Sequence, residues 1–300
     1  MSAIIKEVFP VLLAVLIPLA AFTTGLQAPR AAGEARLWRR PRQLFRDLLA
    51  VLVLVPLWAI VLVLLVPLSP VVRAGLLISV LAVGIGPAAG MKRMGRTAPH
   101  AHEALDLNLV VLVLSLAFVP IAFFLVAALF HRDLHVGVGA VAKVVLGRAL
   151  IPLLLGLGAA RLFPRAAGAA GPWLMKILNV SLLAVLVLAL IATGKFLVAV
   201  GGTGWLVAAA VALGAVVIGH LLGGPDAEER GVVAAASAMR FPALALVLAA
   251  ALPGGHRVIP VVLAYVLCAF VATTLYGLIM ARRRKRETPI IPIGATPRHA

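Results

Sequence analysis

The chain has few charged residues and almost no cysteine. Only 12% of its 300 residues are charged, and 10 acidic residues stand against 27 basic ones. The single cysteine, Cys268, lies within an apolar run, so neither a disulfide framework nor a cysteine metal cluster is available. With 63% hydrophobic residues and a mean hydropathy of +1.14, the chain has too little polar surface to cover a soluble globule. The composition therefore predicts a polytopic membrane protein.

Groups that would support catalysis inside a membrane are also scarce. Five histidines fall in predicted loops, at positions 100, 102, 131, 135 and 256, and no acid lies at the centre of a predicted span. Intramembrane proteases need paired aspartates, a Ser/His dyad or His/Glu metal ligands, so an enzyme of this kind is disfavoured. The chain has no glycine-rich phosphate loop followed by Lys-Ser/Thr, so ATP-driven transport would need another subunit. We expect no cofactor and no bound metal.

The apolar runs predict an all-α protein with about nine transmembrane helices, since one span needs about 20 apolar residues. The predicted bounds are 8–26, 45–68, 71–95, 104–130, 137–163, 174–198, 203–223, 229–252 and 257–281. The first segment is too long and too weakly charged at its front to be a cleaved signal peptide. Residues 1–286 are expected to form one transmembrane domain, and the proline-containing stretch 287–300 a disordered cytoplasmic tail.

The basic residues predict an orientation for these spans. Most of the 27 lie in alternate loops and in the C-terminal cluster 282–286, which by the positive-inside rule places the N-terminus outside and the C-terminus in the cytoplasm. Topology and contact with anionic lipid headgroups account for the net charge of +17. Nucleic-acid binding is not expected, because no soluble basic surface with interleaved aromatics is present. The expected location is the bacterial inner (plasma) membrane.

Two predicted spans are interrupted near their centres, at Gly84-Ile85-Gly86-Pro87 and at Arg240-Phe241-Pro242. They lie five spans apart, and an odd separation places two similar elements antiparallel. Paired Gly/Pro-interrupted segments of this kind indicate a binding site near the bilayer midplane, where a cavity can satisfy the freed backbone groups. The alternative is a simple Gly/Pro kink in each helix, which membrane helices tolerate.

Arg240 lies about eleven residues into its span, where a charge costs at least about 2.5–3.5 kcal/mol on insertion scales. One interpretation is that it faces a cavity and binds an anionic group, bidentately if that group is a carboxylate, sulfonate or phosphate. The alternative is that it caps carbonyls at the helix break or pairs with one of the few nearby acids. The predicted substrate-binding residues are Arg240, Phe241, Gly86, Pro87, Ser115, Ser237 and Arg148.

Several segments resemble the bile acid:sodium symporter family in order and spacing. They are Arg39-Arg40-Pro41-Arg42, residues 82–94, Ser115-Leu116-Ala117-Phe118-Val119-Pro120, Pro152-Leu153-Leu154-Leu155-Gly156, Ala238-Met239-Arg240 and Ala243-Leu244-Ala245-Leu246. The resemblance implies a panel domain and a core domain built from inverted repeats, with two crossed broken helices in the core. It also implies that a nine-span member lacks the family's first helix, starts outside and ends inside.

The chain departs from this family at the positions that bind sodium in its members. The family pattern Glu-x-Gly-Met-Gln-Asn is replaced by residues 236–241, Ala-Ser-Ala-Met-Arg-Phe, and the Cys/Ser-Pro-Gly-Gly break by residues 83–87. Of the implied sodium ligands only Ser115 keeps an oxygen, and an arginine at position 240 would repel a sodium ion at short range. Our hypothesis is that Arg240 supplies the positive charge that bound sodium supplies in relatives.

The predicted function is secondary-active transport of a small organic anion by alternating access, coupled to protons, to exchange or to nothing. One alternative is a sodium-coupled organic anion or bile acid symporter whose cation ligands are backbone carbonyls and hydroxyls such as Ser115 and Ser237. Another is a membrane receptor or assembly partner that keeps the fold without transport. The sequence leaves open the substrate, the direction of transport and the oligomeric state.

Overall fold

The apolar runs fold as helices, because inside hydrocarbon a backbone can satisfy its own N–H and C=O groups only in helices or closed barrels. A computed structural model describes residues 14–27, 40–83, 98–129, 139, 146–250 and 255–287, and these contain helices and no strands. The helices are α1 (Ala14–Gln27), α2 (Pro41–Leu65), α3 (Pro70–Leu81), α4 (Ala98–Leu129), α5 (Leu146–Leu150, π-helical, then Ile151–Leu162), α6 (Pro164–Leu197), α7 (Gly201–Leu222), α8 (Ala227–Ala238), α9 (Pro242–Ala250) and α10 (Ile259–Glu287).

The fold is that of a polytopic membrane protein. Helix is present in each of the nine predicted span ranges, and five helical segments are long and apolar enough to cross a membrane. These are Pro41–Leu65, Pro164–Ile191, Val198–Leu222, Ala227–Ala250 and Gly255–Arg283. Three shorter apolar helices are Ala14–Gln27, Pro70–Leu81 and Leu107–Ala122. The full set of nine spans, their inverted-repeat relation and their orientation stay predictions.

Several helices extend beyond their predicted spans, and α6 and α10 are two examples. α6 begins at Pro164, ten residues before the predicted start, with proline at a first position where no helical N–H is needed. α10 continues through the basic cluster to Glu287, and the rest of the predicted tail lies outside the described residues. Hydropathy locates only the part of a helix that sits in hydrocarbon, so polar helix ends were missed.

The interior is centred on α7 and α10. α7 packs against α2, α8 and α10, and α10 also packs against α3, α6 and α9. Small residues permit the close approach: a Cβ added at Gly219 of α7 would lie 2.6 Å from the Ala234 Cα of α8, and one at Gly75 of α3 would lie 2.5 Å from the Val261 Cβ of α10. At these contacts α8 and α3, the helices that precede the two interrupted segments, lie close to α7 and α10.

A second close crossing joins α1 to α5. A Cβ added at Gly156 would clash with the Phe22 carbonyl oxygen, and one added at Gly25 would clash with the Leu153 carbonyl oxygen. The two glycines therefore face each other's backbones, and neither helix can carry a side chain at this point without moving away.

The crossing predicts a position-specific effect of alanine in α5. Gly156→Ala should destabilise the protein by about 1–3 kcal/mol, because overpacking exceeds the gain in helix propensity. Gly158→Ala is the matched control, since a Cβ there meets nothing within 4 Å, and it should be neutral or stabilising by up to about 1 kcal/mol. Thermal unfolding in detergent measures both. An equal change in melting temperature for the two variants would contradict the close contact between α1 and α5.

Candidate functional site

The helix break predicted at Arg240-Phe241-Pro242 is present between α8 and α9. α8 ends at Ala238, Met239 is extended with φ −80° and ψ 99°, and α9 begins at Pro242. Proline lacks an N–H and disfavours a helical conformation of the residue before it, so the chain leaves the helix here and resumes it at the proline. The break exposes backbone groups that need partners from other helices.

Two of these freed groups are satisfied across the interior. The Phe241 N–H donates to the carbonyl oxygen of Ala82 at 3.1 Å, and Ala82 is the residue that follows the last turn of α3. The Tyr265 hydroxyl of α10 donates to the Ala238 carbonyl oxygen at 2.9 Å. The end of α3 and the α8–α9 break therefore meet, as crossing broken helices would, although residues 84–87 of the first break lie outside the described residues.

Arg240 is buried at the break, with 5% of its surface exposed. Its Nη1 donates to the carbonyl oxygen of Val51 in α2 at 2.9 Å. Nε and Nη2 have no hydrogen-bond partner among the residues that the structure describes, and no described carboxylate pairs with the guanidinium. The Tyr265 phenol is close enough to interact with it electrostatically but makes no hydrogen bond of good geometry to Nε or Nη2. Arg240 thus caps one carbonyl and keeps two donors unused.

The two unused donors lie on one edge of the guanidinium. Nε–H and an Nη2–H point in parallel, and this fork matches the two oxygens of a carboxylate, sulfonate or phosphate. Both nitrogen atoms are shielded from solvent in this conformation.

A cavity of about 430 Å³ borders Arg240, between α6 on one side and α8, α9 and α10 on the other. Most of its described lining is apolar, and the polar residues in it are Asn179, Arg240, Tyr265, Thr273 and Thr274. It extends from the break towards Ala227 and Ala281, at the end of the molecule where α8 begins and α10 carries its basic cluster. The cavity runs along α8, so the length of that helix gives it an extent of about 17 Å. Arg240 is the charged residue among the described lining residues of the cavity.

The other residues singled out from the sequence are spread more widely. Phe241 is buried in the core, and its N–H donates to the Ala82 carbonyl across the interior. Ser115 is buried and donates to the Leu112 carbonyl oxygen of its own helix at 2.6 Å. Ser237 is fully buried next to Gly219, and its Oγ has no hydrogen-bond partner among the described residues. Arg148 is exposed on α5 and does not line the described cavity, while Gly86 and Pro87 lie outside the described residues.

Sequence reasoning missed two participants. Tyr265 looked like an ordinary residue of an apolar run, yet it lines the cavity and satisfies Ala238. Val51 contributes only a backbone carbonyl, which no side-chain pattern reveals. A proline inside the α2 span, Pro56, was the one available signal that a carbonyl in that helix would lack its donor.

The comparison with known families gives a match to the sodium bile acid symporter family over residues 22–202, which is more than half of the chain. The chain belongs to this family. The match confirms the resemblance read from the sequence, and it makes the protein a symporter-like membrane transporter rather than an enzyme at the level of family. No curated protein matches the chain significantly.

The matched region of this symporter-family protein ends in α7 and stops before Arg240. The family assignment therefore rests on the first two thirds of the chain and is independent of the α8–α9 break. What the break contributes to transport has to be argued from its own geometry.

The two tyrosines of this chain provide a matched test of the break. Tyr265→Phe should lower stability by about 1–3 kcal/mol, because the buried Ala238 carbonyl loses its donor. Tyr276→Phe should have a smaller effect, since its hydroxyl contacts His220 Nδ1 at 2.7 Å in a half-buried position. Denaturation of the two purified variants measures the loss of unfolding free energy in each. A larger loss for Tyr276→Phe would argue against the described break.

Proposed function

We propose that this family member is a secondary transporter of a small organic anion, and that Arg240 binds the anionic group. The observation that carries the proposal is a buried guanidinium with one anchored nitrogen and two unused donors beside a mostly apolar cavity. The finer features, which are the substrate, the alternating-access cycle and the coupling, are parts of the proposal.

The energetic argument concerns the unpaired charge. A buried cation in a membrane protein costs several kcal/mol unless something offsets it, and Arg240 has one backbone carbonyl as its described hydrogen-bond partner. A carboxylate or sulfonate would supply both charge and acceptors to the Nε/Nη2 edge. The N-terminus of α9, which is nine residues long and starts at Pro242 beside Arg240, adds a favourable partial positive charge.

The cavity supports an anion with an apolar body. Its volume of about 430 Å³ lies within the range of small-molecule sites. The walls are mainly Leu, Val, Ala and Met, with hydroxyl and amide groups at Thr273, Thr274 and Asn179. We infer a substrate with one anionic group at Arg240 and an apolar portion that extends along α8 and α10.

Alternating access would involve movement at the boundary between α6 and the helices of the break, where the cavity lies. α6 forms one wall and the helices of the break form the other, so a movement of one relative to the other would open or close the path. In the orientation expected from the basic residues, the end of the cavity at Ala227 and Ala281 would face the cytoplasm.

Sodium is not the expected coupling ion. A sodium site needs several hard oxygen ligands, and the residues at the family's ligand positions here include Ala236 and Arg240. The Ser115 hydroxyl, which donates to the Leu112 carbonyl, keeps its oxygen, but one hydroxyl does not make a cation site. The fixed charge of Arg240 would replace the cation, which leaves proton coupling, exchange or uncoupled transport.

A sodium-coupled symporter is the second candidate, because the buried Ser237 Oγ is unpaired among the described residues and could serve as a cation ligand. The Ser237 hydroxyl lies three residues before Arg240 on the same chain segment. A cation there would be close to a guanidinium, so this candidate is the weaker one.

Anion binding should depend on Arg240. The melting temperature of the purified protein should rise with a carboxylate or sulfonate from a panel that includes cholate and taurocholate, since a ligand at about 100 times its Kd stabilises by about 2.7 kcal/mol. Arg240→Gln should abolish the rise, whereas Arg148→Gln, which changes an exposed arginine outside the cavity lining, should keep it. Identical responses of all three proteins to every anion would favour a membrane receptor or assembly partner.

The same response should be independent of sodium. Each anion is added as its sodium and its choline salt at equal ionic strength, and the shift in melting temperature should be the same in both. Ser237→Ala should leave the anion response unchanged. A shift that appears only in sodium, and disappears in Ser237→Ala, would replace our proposal with the sodium-coupled alternative.

A further inference from the structure

The acceptor that anchors Arg240 arises from an irregularity in α2. Residues Leu49–Leu54 are π-helical, and the Val55 N–H donates to the Ala50 carbonyl, five residues back. In this register the donor for the next carbonyl, that of Val51, would be residue 56. That residue is Pro56, which has no N–H. The Val51 carbonyl therefore has no donor from the π register of its own helix.

This carbonyl lies in the interior. Val51 is 1% exposed, and Pro56 is buried as well. A freed backbone carbonyl is tolerated at such depth only where another protein group satisfies it. The group that does so is Arg240 Nη1, at 2.9 Å and 189 residues away in the chain.

We propose that Pro56 is a positioning residue for the anion site: it frees the Val51 carbonyl, and that carbonyl fixes the Arg240 guanidinium. The effect of Pro56 on anion binding rests on the proposed function, whereas the contact between the Val51 carbonyl and Arg240 does not. A guanidinium is planar, so a bond at Nη1 to a rigid acceptor sets the plane and direction of the Nε/Nη2 edge. Without that bond the side chain would sample other rotamers, and an anion would have to order it on binding.

π-helical turns in membrane helices commonly accompany functional sites, and this one has a defined use. The alternative explanation is that Pro56 serves only the bend of α2 and that the Arg240 contact is incidental. The two explanations differ in what happens when position 56 regains an N–H. That N–H would compete with Arg240 for the Val51 carbonyl, whereas a proline that only shapes the helix would not be coupled to Arg240.

The first experiment is a double-mutant cycle on stability without any anion. Arg240→Met removes a buried charge, which favours folding, but the Val51 carbonyl also loses its donor, and only this loss depends on position 56. In a Pro56→Ala background the backbone N–H regained at position 56 can take the place of that donor, so the same change should cost clearly less. Pro172→Ala, which removes an exposed proline inside α6, is the control background and should leave the cost of Arg240→Met unchanged. Additive effects in the Pro56→Ala background would overturn the proposal.

The second experiment measures anion affinity. Pro56→Ala alone should keep or raise the melting temperature, yet weaken the Kd of the anion that stabilises the parent protein by about 3- to 10-fold, the loss expected when one hydrogen bond stops orienting a binding group. A gain in stability together with a loss of affinity is not expected from a merely structural proline. Unchanged affinity would overturn the positioning role.

A backbone substitution covers the case in which Pro56→Ala folds poorly. Replacing Leu52 by its α-hydroxy acid turns the Val51–Leu52 amide into an ester, whose carbonyl is a weaker acceptor, and the same change at Val53 is the control. Weaker anion binding at position 52 than at position 53 supports the proposal, and equal binding overturns it. Coupling in the stability cycle with no response to any anion in the parent protein would instead disprove the proposed function and leave the Val51 anchor intact.

Discussion

Backbone groups freed at irregular points in apolar helices must find partners, and three hydrogen bonds meet this constraint here. Phe241 N–H bonds Ala82, the Tyr265 hydroxyl bonds Ala238, and Arg240 bonds Val51. Each joins a break or a π turn to a different helix, so α2, α3, α8 and α10 are tied together at one level. Close glycine contacts elsewhere only permit approach, whereas these bonds specify which segments meet.

The same constraint explains why a charge lies in this interior. An apolar side chain at position 240 would leave the Val51 carbonyl without its described donor, and a residue whose donors were all occupied by carbonyls would have none for a ligand. Arginine has enough donors to do both. Under the proposed function, the fixed guanidinium would take the place of the sodium ion that the family resemblance implies.

The sequence predicted the class of fold and the position of the second break well, because both depend on local properties. Apolar length locates helices, and the Arg240-Phe241-Pro242 stretch marks a point where one of them is interrupted. The candidate site was predicted in part. Arg240 follows from the rarity of a central charge, and it borders the described cavity. Arg148 does not line the described cavity, and depth along a span does not say which way a side chain faces.

The amino-acid sequence alone was enough to establish a helical membrane protein with a cation at a helix break, since composition, span length and proline act over short stretches. What that cation touches became known only from the folded chain. Val51 and Ala82 contribute backbone carbonyls, and Tyr265 acts from another helix, so no local pattern marks them. Their roles depend on which segments pack together, and that is set by the whole arrangement of helices.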